Sequence, residues 1–353
     1  MLNVAICGLR RGASFARIFP FFDSCRLSAV CDTDEALLRR FASEVPDAQR
    51  FTHFEELLNT QPDICVIASP VARHAEQSIA ALQAGCHVLQ EVFLAETLEQ
   101  CRQLYEAVKA HPQQTFMLAE NCCYWHFIME WRKMWRAGTL GDLIHGEAEY
   151  IHDVRTLMAD EQGQPTWRTT LPPIHYLTHS LGPLLWISEA RVKRAIALAT
   201  PSRLQPGRDH YDSEVALFQT EDGATLKVLT AFRIAREPSF HYYSLYGTRG
   251  CLESQRPPEA LRTNAFLNEQ GKADMVQWPL GRNDPQAPSG ADSGGHGTAE
   301  YYMVRDFLSS IRHGRPAPIG IDAALEMSVP GLCAHQSALN GGTPVDVPTY
   351  WRT

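Results

Sequence analysis

The sequence predicts an α/β fold in two parts: an N-terminal, doubly wound parallel sheet, then an α+β domain carrying a large, mostly antiparallel sheet. Three observations carry this. Short apolar runs alternate with helix-patterned stretches through the first 119 residues. A glycine turn follows the first of these runs, and an acidic residue closes the second. From about residue 142 the runs lengthen, several alternate polar with apolar, and crossover helices become scarce. The expected domains are therefore 1–119 and 120–353, the final helices being free to pack back on the first.

Each element follows in order. Leu2-Asn-Val-Ala-Ile-Cys7 reads as a buried strand, Gly8 to Gly12 as the turn opening a helix, and Leu27-Ser-Ala-Val-Cys31 as the next strand, ending at Asp32. Such a unit presents backbone N–H groups to a pyrophosphate. Asp32 follows Gly12 by 20 residues (32 minus 12), the spacing at which a carboxylate meets the ribose hydroxyls. This is the Rossmann arrangement. NAD is the expected cofactor, because Asp32 repels the 2′-phosphate of NADP. Ala13 to Ala16 supply no third glycine, so the turn alone reads as an ordinary tight turn; the ordered strand, turn, helix, strand and Asp carry the assignment. Gly8, Arg10, Arg11, Gly12 and Asp32 are the expected contacts of this half.

Ile64 to Ala68 is a further buried strand, His74 to Gly85 a helix, Cys86 to Leu89 a strand, Glu96 to Ala110 a helix halted at His111-Pro112, and Thr115 to Leu118 the last strand. Ligands of such sheets lie at the carboxyl ends of the strands, here Gly8, Asp32, Ser69, Glu91 and Glu120. Beyond residue 142, Leu143–His152, Val192–Thr200, Glu214–Thr220, Ala224–Arg233 and His241–Leu252 read as strands, and Pro173–Trp186 as helical. One sheet face is then covered by helices, and the other can be buried only by a second subunit, so a homodimer or homotetramer is expected. Asn283 to Gly297 is a Gly-, Pro-, Ser- and Asp-rich loop, and Ala299 to His313 the last amphipathic helix.

Composition narrows the function. Charged residues make up 20% and hydrophobic ones 44%, with a net charge of −8 and no basic tract. That fits a globular protein and argues against nucleic acid or an anionic membrane as partner. Ten cysteines include no C-x-x-C pair, as in a chain kept reduced in the cytoplasm. The first strand begins at residue 2, leaving no room for a leader, and no apolar run is long enough to span a bilayer.

Further blocks bear a family resemblance. Ser69-Pro70-Val-Ala-Arg-His74, the helix to Gly85, and Gln90-Glu91 resemble the nucleotide half of the Gfo/Idh/MocA oxidoreductases, with Glu91 where their Glu-Lys-Pro motif falls. The lysine of that motif moves the proton in common members; this chain has Val92 and Phe93 instead. One branch, the NAD-dependent glycoside hydrolases of the α-N-acetylgalactosaminidase type, also has Glu-Val there. The resemblance to that branch extends to Glu120-Asn-Cys-Cys-Tyr124, Gly141 to Arg155, Tyr176-Leu-Thr-His179-Ser-Leu-Gly-Pro183 and Gly295-His296-Gly297.

What the resemblance implies is oxidation of a sugar's carbon-3 hydroxyl by tightly held NAD. The ketone acidifies the carbon-2 proton, whose loss expels the glycosidic oxygen; water adds and the hydride returns. A plain NAD-dependent sugar or cyclitol dehydrogenase using His179 in place of the lysine is the alternative. By position His179, Tyr150 and Tyr176 resemble the branch's catalytic residues, with His179 as base at carbon 3 and Tyr150 at carbon 2, or the reverse. Ser69, His74, Glu91 and Glu120 join the cofactor set, together with Arg168, matched at a different spacing. His152, His175 and His296 are the expected substrate contacts. His175 and His179, four apart, would share a helix face and zinc-ligand spacing, but no third ligand is evident and no metal is expected. Taken singly, His179 reads as a buried helix histidine, Tyr150 and His152 as strand packing, and Cys122, Cys123, Trp131, Met134 and Trp135 as core. Arg155, Arg168 and Arg233 are candidates to meet an anionic substituent, or else surface or cofactor contacts.

Overall fold

The computed structural model describes residues 1–160, 163–204, 210–268 and 274–352. They form two compact units. The first comprises Met1–Tyr124, Asn283–Leu325 and the chain end from Trp351; the second comprises Trp125–Arg282 and Glu326–Tyr350.

In the first unit, β1 (Leu2–Cys7), α1 (Leu9–Ile18), β2 (Cys25–Cys31), α2 (Glu35–Phe41), β3 (Gln49–Phe51), α3 (Phe54–Leu58), β4 (Ile64–Ile67), α4 (His74–Gln83), β5 (His87–Gln90), α5 (Leu98–Ala110) and β6 (Phe116–Leu118) alternate. The strands pair in parallel in the order β3-β2-β1-β4-β5-β6. That is the expected doubly wound sheet. Every residue of β4 and β6 is buried, as parallel strands covered on both faces must be. Local chemistry sets the helix ends. The Asp34 carboxylate accepts from Ala36 and Leu37 N–H to start α2, and Thr97 with Gln100 forms a capping box on α5. The short α2, β3 and α3 carry too few residues for a periodic signal and were not expected from the sequence.

The second unit holds α6 (His126–Arg136), β7 (Leu143–Ile151), α7 (Thr178–Ser188), β8 (Val192–Pro201), β9 (Tyr211–Thr220), β10 (Thr225–Ala231), β11 (Phe240–Gly247), β12 (Gly250–Ser254), β13 (Thr263–Leu267) and β14 (Val276–Trp278). With β15 (Val345–Asp346) they make a nine-stranded sheet ordered β14-β13-β12-β11-β7-β10-β9-β8-β15. Pairing is antiparallel throughout, except that β10 runs parallel to β7. Two expectations need correcting. His241–Leu252 is not one strand: the chain turns at Thr248-Arg249, and β11 and β12 pair with each other. Pro173–Trp186 is not one helix either. Pro172 and Pro173 lead into a 3-10 turn over Pro173–Tyr176 before α7 begins, since proline offers no N–H to an α-helical ladder.

The helix α8 (Ala299–His313) belongs to the first unit and has the expected bounds. It is not the last, because α9 (Ile321–Leu339) follows. Apolar on most sides and interrupted by Pro330, α9 gives neither an amphipathic stripe nor an unbroken run.

Candidate active site

In the first unit, the β1–α1 turn is built for close approach. Gly8 has φ +91°, and a Cβ there would lie 2.4 Å from the Ala68 carbonyl; one on Gly12 would lie 2.5 Å from Ile6 Cγ2. The first glycine thus lets the turn lie against the end of β4, and the second lets α1 press on β1. No side chain caps α1 and no acid occupies its first turn, leaving the positive end of the helix dipole for an anion. Asp32 Oδ2 accepts from Leu9 N–H at 2.7 Å and Oδ1 from Asp34 N–H at 3.0 Å, which fixes a carboxylate beside that turn. An uncapped helix start, a crowded glycine and an oriented carboxylate fit a dinucleotide.

The remaining expected cofactor residues fare differently. Arg10 is largely exposed, 3.6 Å from Asp34. Arg11 pairs with Glu91 at 2.9 Å and with Glu300 at 3.0 Å. Ser69 donates its hydroxyl to Gln77 Oε1 at 2.5 Å. His74 is buried, with its ring nitrogens 2.9 and 2.8 Å from the carbonyls of Phe93 and Ser69; burial lowers its pKa despite those bonds. It braces two loops and offers the cofactor no free nitrogen. Glu91 is buried and also accepts from Val92 N–H at 3.2 Å. Val92, where the family's lysine falls, is a buried aliphatic side chain. Glu120 is fully buried and accepts from Cys122 N–H at 3.0 Å. His296, expected at the substrate, belongs to this unit and lies 2.6 Å from Glu300 Oε1.

The second unit gathers the phenols and imidazoles. Tyr150 projects from the end of β7, and its hydroxyl is 2.8 Å from His152 Nδ1. Its ring stacks on His179 at 5.8 Å and meets Tyr176 edge-on at 5.6 Å; Tyr176 and His179 are 5.0 Å apart. Burial lowers the His152 pKa, outweighing Glu237, which favours the neutral imidazole. His241, absent from the expected set, joins the group 4.8 Å from the Tyr150 ring. Antiparallel register carries it there, since β11 pairs with β7 so that His241 faces Tyr150. Tyr243, on the same strand, donates its hydroxyl to the His179 carbonyl, tying α7 to the sheet.

Three other expectations are revised. His175 and His179 do not share a helix face, because the 3-10 turn ends between them. His175 instead meets His335 edge-on at 5.0 Å, and burial and then that neighbour push its pKa down to about 3. His335 is held by Glu214, which also accepts from Ile174 N–H. Arg155 is paired with Asp153 at 2.5 Å, and Arg233 is buried, donating to the carbonyls of Tyr211 and Thr169; both are committed within the protein. Arg168, in the second unit, stacks over Trp167 at 4.4 Å. Trp131, Cys122 and Cys123 are core, as expected, while Met134 and Trp135 are only half-buried.

Residues 2–119 match the Gfo/Idh/MocA oxidoreductase family in its NAD-binding Rossmann fold. The match falls within the first unit and covers all six strands of its parallel sheet. The chain is accordingly an NAD-dependent enzyme resembling that family. A glycosyl hydrolase family 109 protein of Solibacter usitatus is 25% identical, over 97% of this chain and 86% of its own length. An α-N-acetylgalactosaminidase of Shewanella oneidensis is 27% identical, over 100% and 85%. Among solved structures, levoglucosan dehydrogenase in complex with NADH and levoglucosan superposes with a TM-score of 0.83 at 18% identity, covering 98% of this chain and 99% of its own. Among the described residues, no helix is long and apolar enough to cross a membrane.

Proposed function

We propose that this Gfo/Idh/MocA enzyme is a redox-neutral glycoside hydrolase. One observation carries the reading. The lysine position is filled by buried Val92, whereas the second unit presents a phenol bonded to one imidazole and stacked on another. Bound NAD supplies reversible hydride acceptance. The chain's own residues handle protons: His179 takes the proton of the carbon-3 hydroxyl as the ketone forms. Tyr150, its hydroxyl proton passed to His152 Nδ1, removes the acidified carbon-2 proton as a phenolate, and the glycosidic oxygen leaves from carbon 1. Water then adds at carbon 1, carbon 2 regains a proton, and the ketone is reduced. The two proton steps need groups that titrate or relay near neutrality, not two carboxylates flanking the bond. The similarity to family 109 relatives along the whole chain supports this reading.

The test is incubation of the purified protein with assorted glycosides in deuterated water, without added cofactor. Cleavage with deuterium at carbon 2 and no accumulating NADH is the expected result. Stoichiometric NADH without cleavage would instead make it a dehydrogenase, the reading favoured by likeness to levoglucosan dehydrogenase. A further expectation is that His179→Ala abolishes turnover while NAD still binds.

We also read the chain as a homodimer or homotetramer working in the cytoplasm. On adjacent strands, Ile196 pairs with Leu217 and Leu198 with Val215, and all four side chains are exposed. Nine of the ten cysteines are buried, and all are unbridged, which supports a reducing compartment.

A further inference from the structure

Four side chains of the first unit form a charged chain that the dinucleotide motif does not require. Arg11 reaches Glu91 through Nε and Glu300 through Nη1. Glu300 is fully buried, and its Oε1 accepts from His296 Nδ1 at 2.6 Å. Three segments far apart in sequence are thereby joined: the first turn of α1, the residue after β5 and the start of α8, where His296 lies four residues ahead of Glu300. Burial opposes ionisation of Glu300, but the hydrogen bond from His296 and the Arg11 charge outweigh it and hold the carboxyl below its ordinary range. Removing one partner of a buried ion pair leaves the other charge uncompensated, which ties Glu300 to Arg11. The Arg11 guanidinium lies within ion-pair distance of both carboxylates, Nε at 2.9 Å from Glu91 and Nη1 at 3.0 Å from Glu300.

We propose that Glu300 is a positioning residue for the nicotinamide side of the NAD site. It fixes the Arg11 fork, Arg11 fixes the Glu91 carboxylate, and His296 fastens the 283–297 segment to the same oxygen. The inference rests on the place of Glu91 just past the carboxyl end of β5, in the half of the sheet across β1 from Asp32, the half that takes the second nucleotide of a dinucleotide. The reactive half of the cofactor is then held by a clamp separate from the adenosine half, where Asp32 lies.

The test uses the full chain, with NAD and ADP affinities measured by calorimetry; ADP has the adenosine and pyrophosphate but lacks the nicotinamide riboside. Glu300→Gln is expected to weaken NAD about tenfold or more, while ADP changes less than about twofold. Equal loss for both ligands would mean general damage to the fold and overturn the proposal, as would an NAD change below about twofold. Should Glu300→Gln fail to fold, His296→Ala carries the same comparison, since that side chain is 43% exposed; NAD weakened about threefold with ADP unaffected is expected, and no change in NAD affinity overturns it. Neither measurement involves a sugar. A failure here is therefore distinguishable from a failure of the cleavage assay.

Discussion

The Tyr150 hydroxyl lies 2.8 Å from His152 Nδ1 while its ring stacks on His179 at an interplanar angle of 18°. One phenol is therefore hydrogen-bonded to an imidazole on its own chain segment and packed against a second from α7. Such a pairing gives Tyr150 a local proton acceptor. Tyr150→Phe keeps the ring contacts and removes only the hydroxyl. Turnover should fall by about 10² to 10³, with NAD affinity and melting temperature close to wild type. Carbon-2 deuterium exchange should fall with turnover; exchange at the wild-type rate would remove Tyr150 from that step.

His175 gives a pH signature. Its pKa in the folded protein is about 3, against an ordinary 6.5. Between those values the unfolded chain binds a proton that the folded chain does not, so this group's contribution is lost as pH falls from 6.5 towards 3. The slope from a single group is at most about 1.4 kcal/mol per pH unit. Urea unfolding between pH 4 and pH 7 should show a shallower pH dependence for His175→Gln than for wild type. Parallel curves would show that His175 titrates normally.

Asp32 gives a cofactor signature. Its two oxygens are oriented by the Leu9 and Asp34 N–H groups, so the carboxylate is held in place before any ribose arrives. Asp32→Ala should weaken NAD by about 1 to 2 kcal/mol and narrow the preference for NAD over NADP. Unaltered selectivity in fluorescence titrations would place the discrimination elsewhere.

The exposed pairs Ile196–Leu217 and Leu198–Val215 bear on assembly. Leu198→Glu with Leu217→Glu should lower the mass measured by light scattering to that of one chain, leaving NAD affinity intact. An unchanged mass would move the interface off this face.

The nucleotide half was legible because its determinants are local: apolar strands a few residues long, a glycine against the next strand end, and Asp32 at a fixed distance. The imidazole–phenol group was legible only in part. Tyr150, His152, Tyr176 and His179 fall in blocks that resemble a known branch, but His241 reaches Tyr150 through strand register, which a linear reading does not contain. The same limit hid the partnership of Arg11 with Glu300. His175 was misplaced for a different reason: a spacing of four means a shared face only when the backbone is α-helical, and the turn after Pro172-Pro173 is not.

The one parallel pairing in the larger sheet, β7 beside β10, has an evolutionary corollary. Neighbouring strands that run the same way cannot be closed by a tight hairpin, so the backbone must make a long detour between Ile151 and Thr225. That detour bears Arg168, Tyr176 and His179. Residues inserted or deleted within it can remodel what surrounds Tyr150 while the ladder beneath it keeps its register. Substrate preference can diverge in such a scaffold faster than its chemistry.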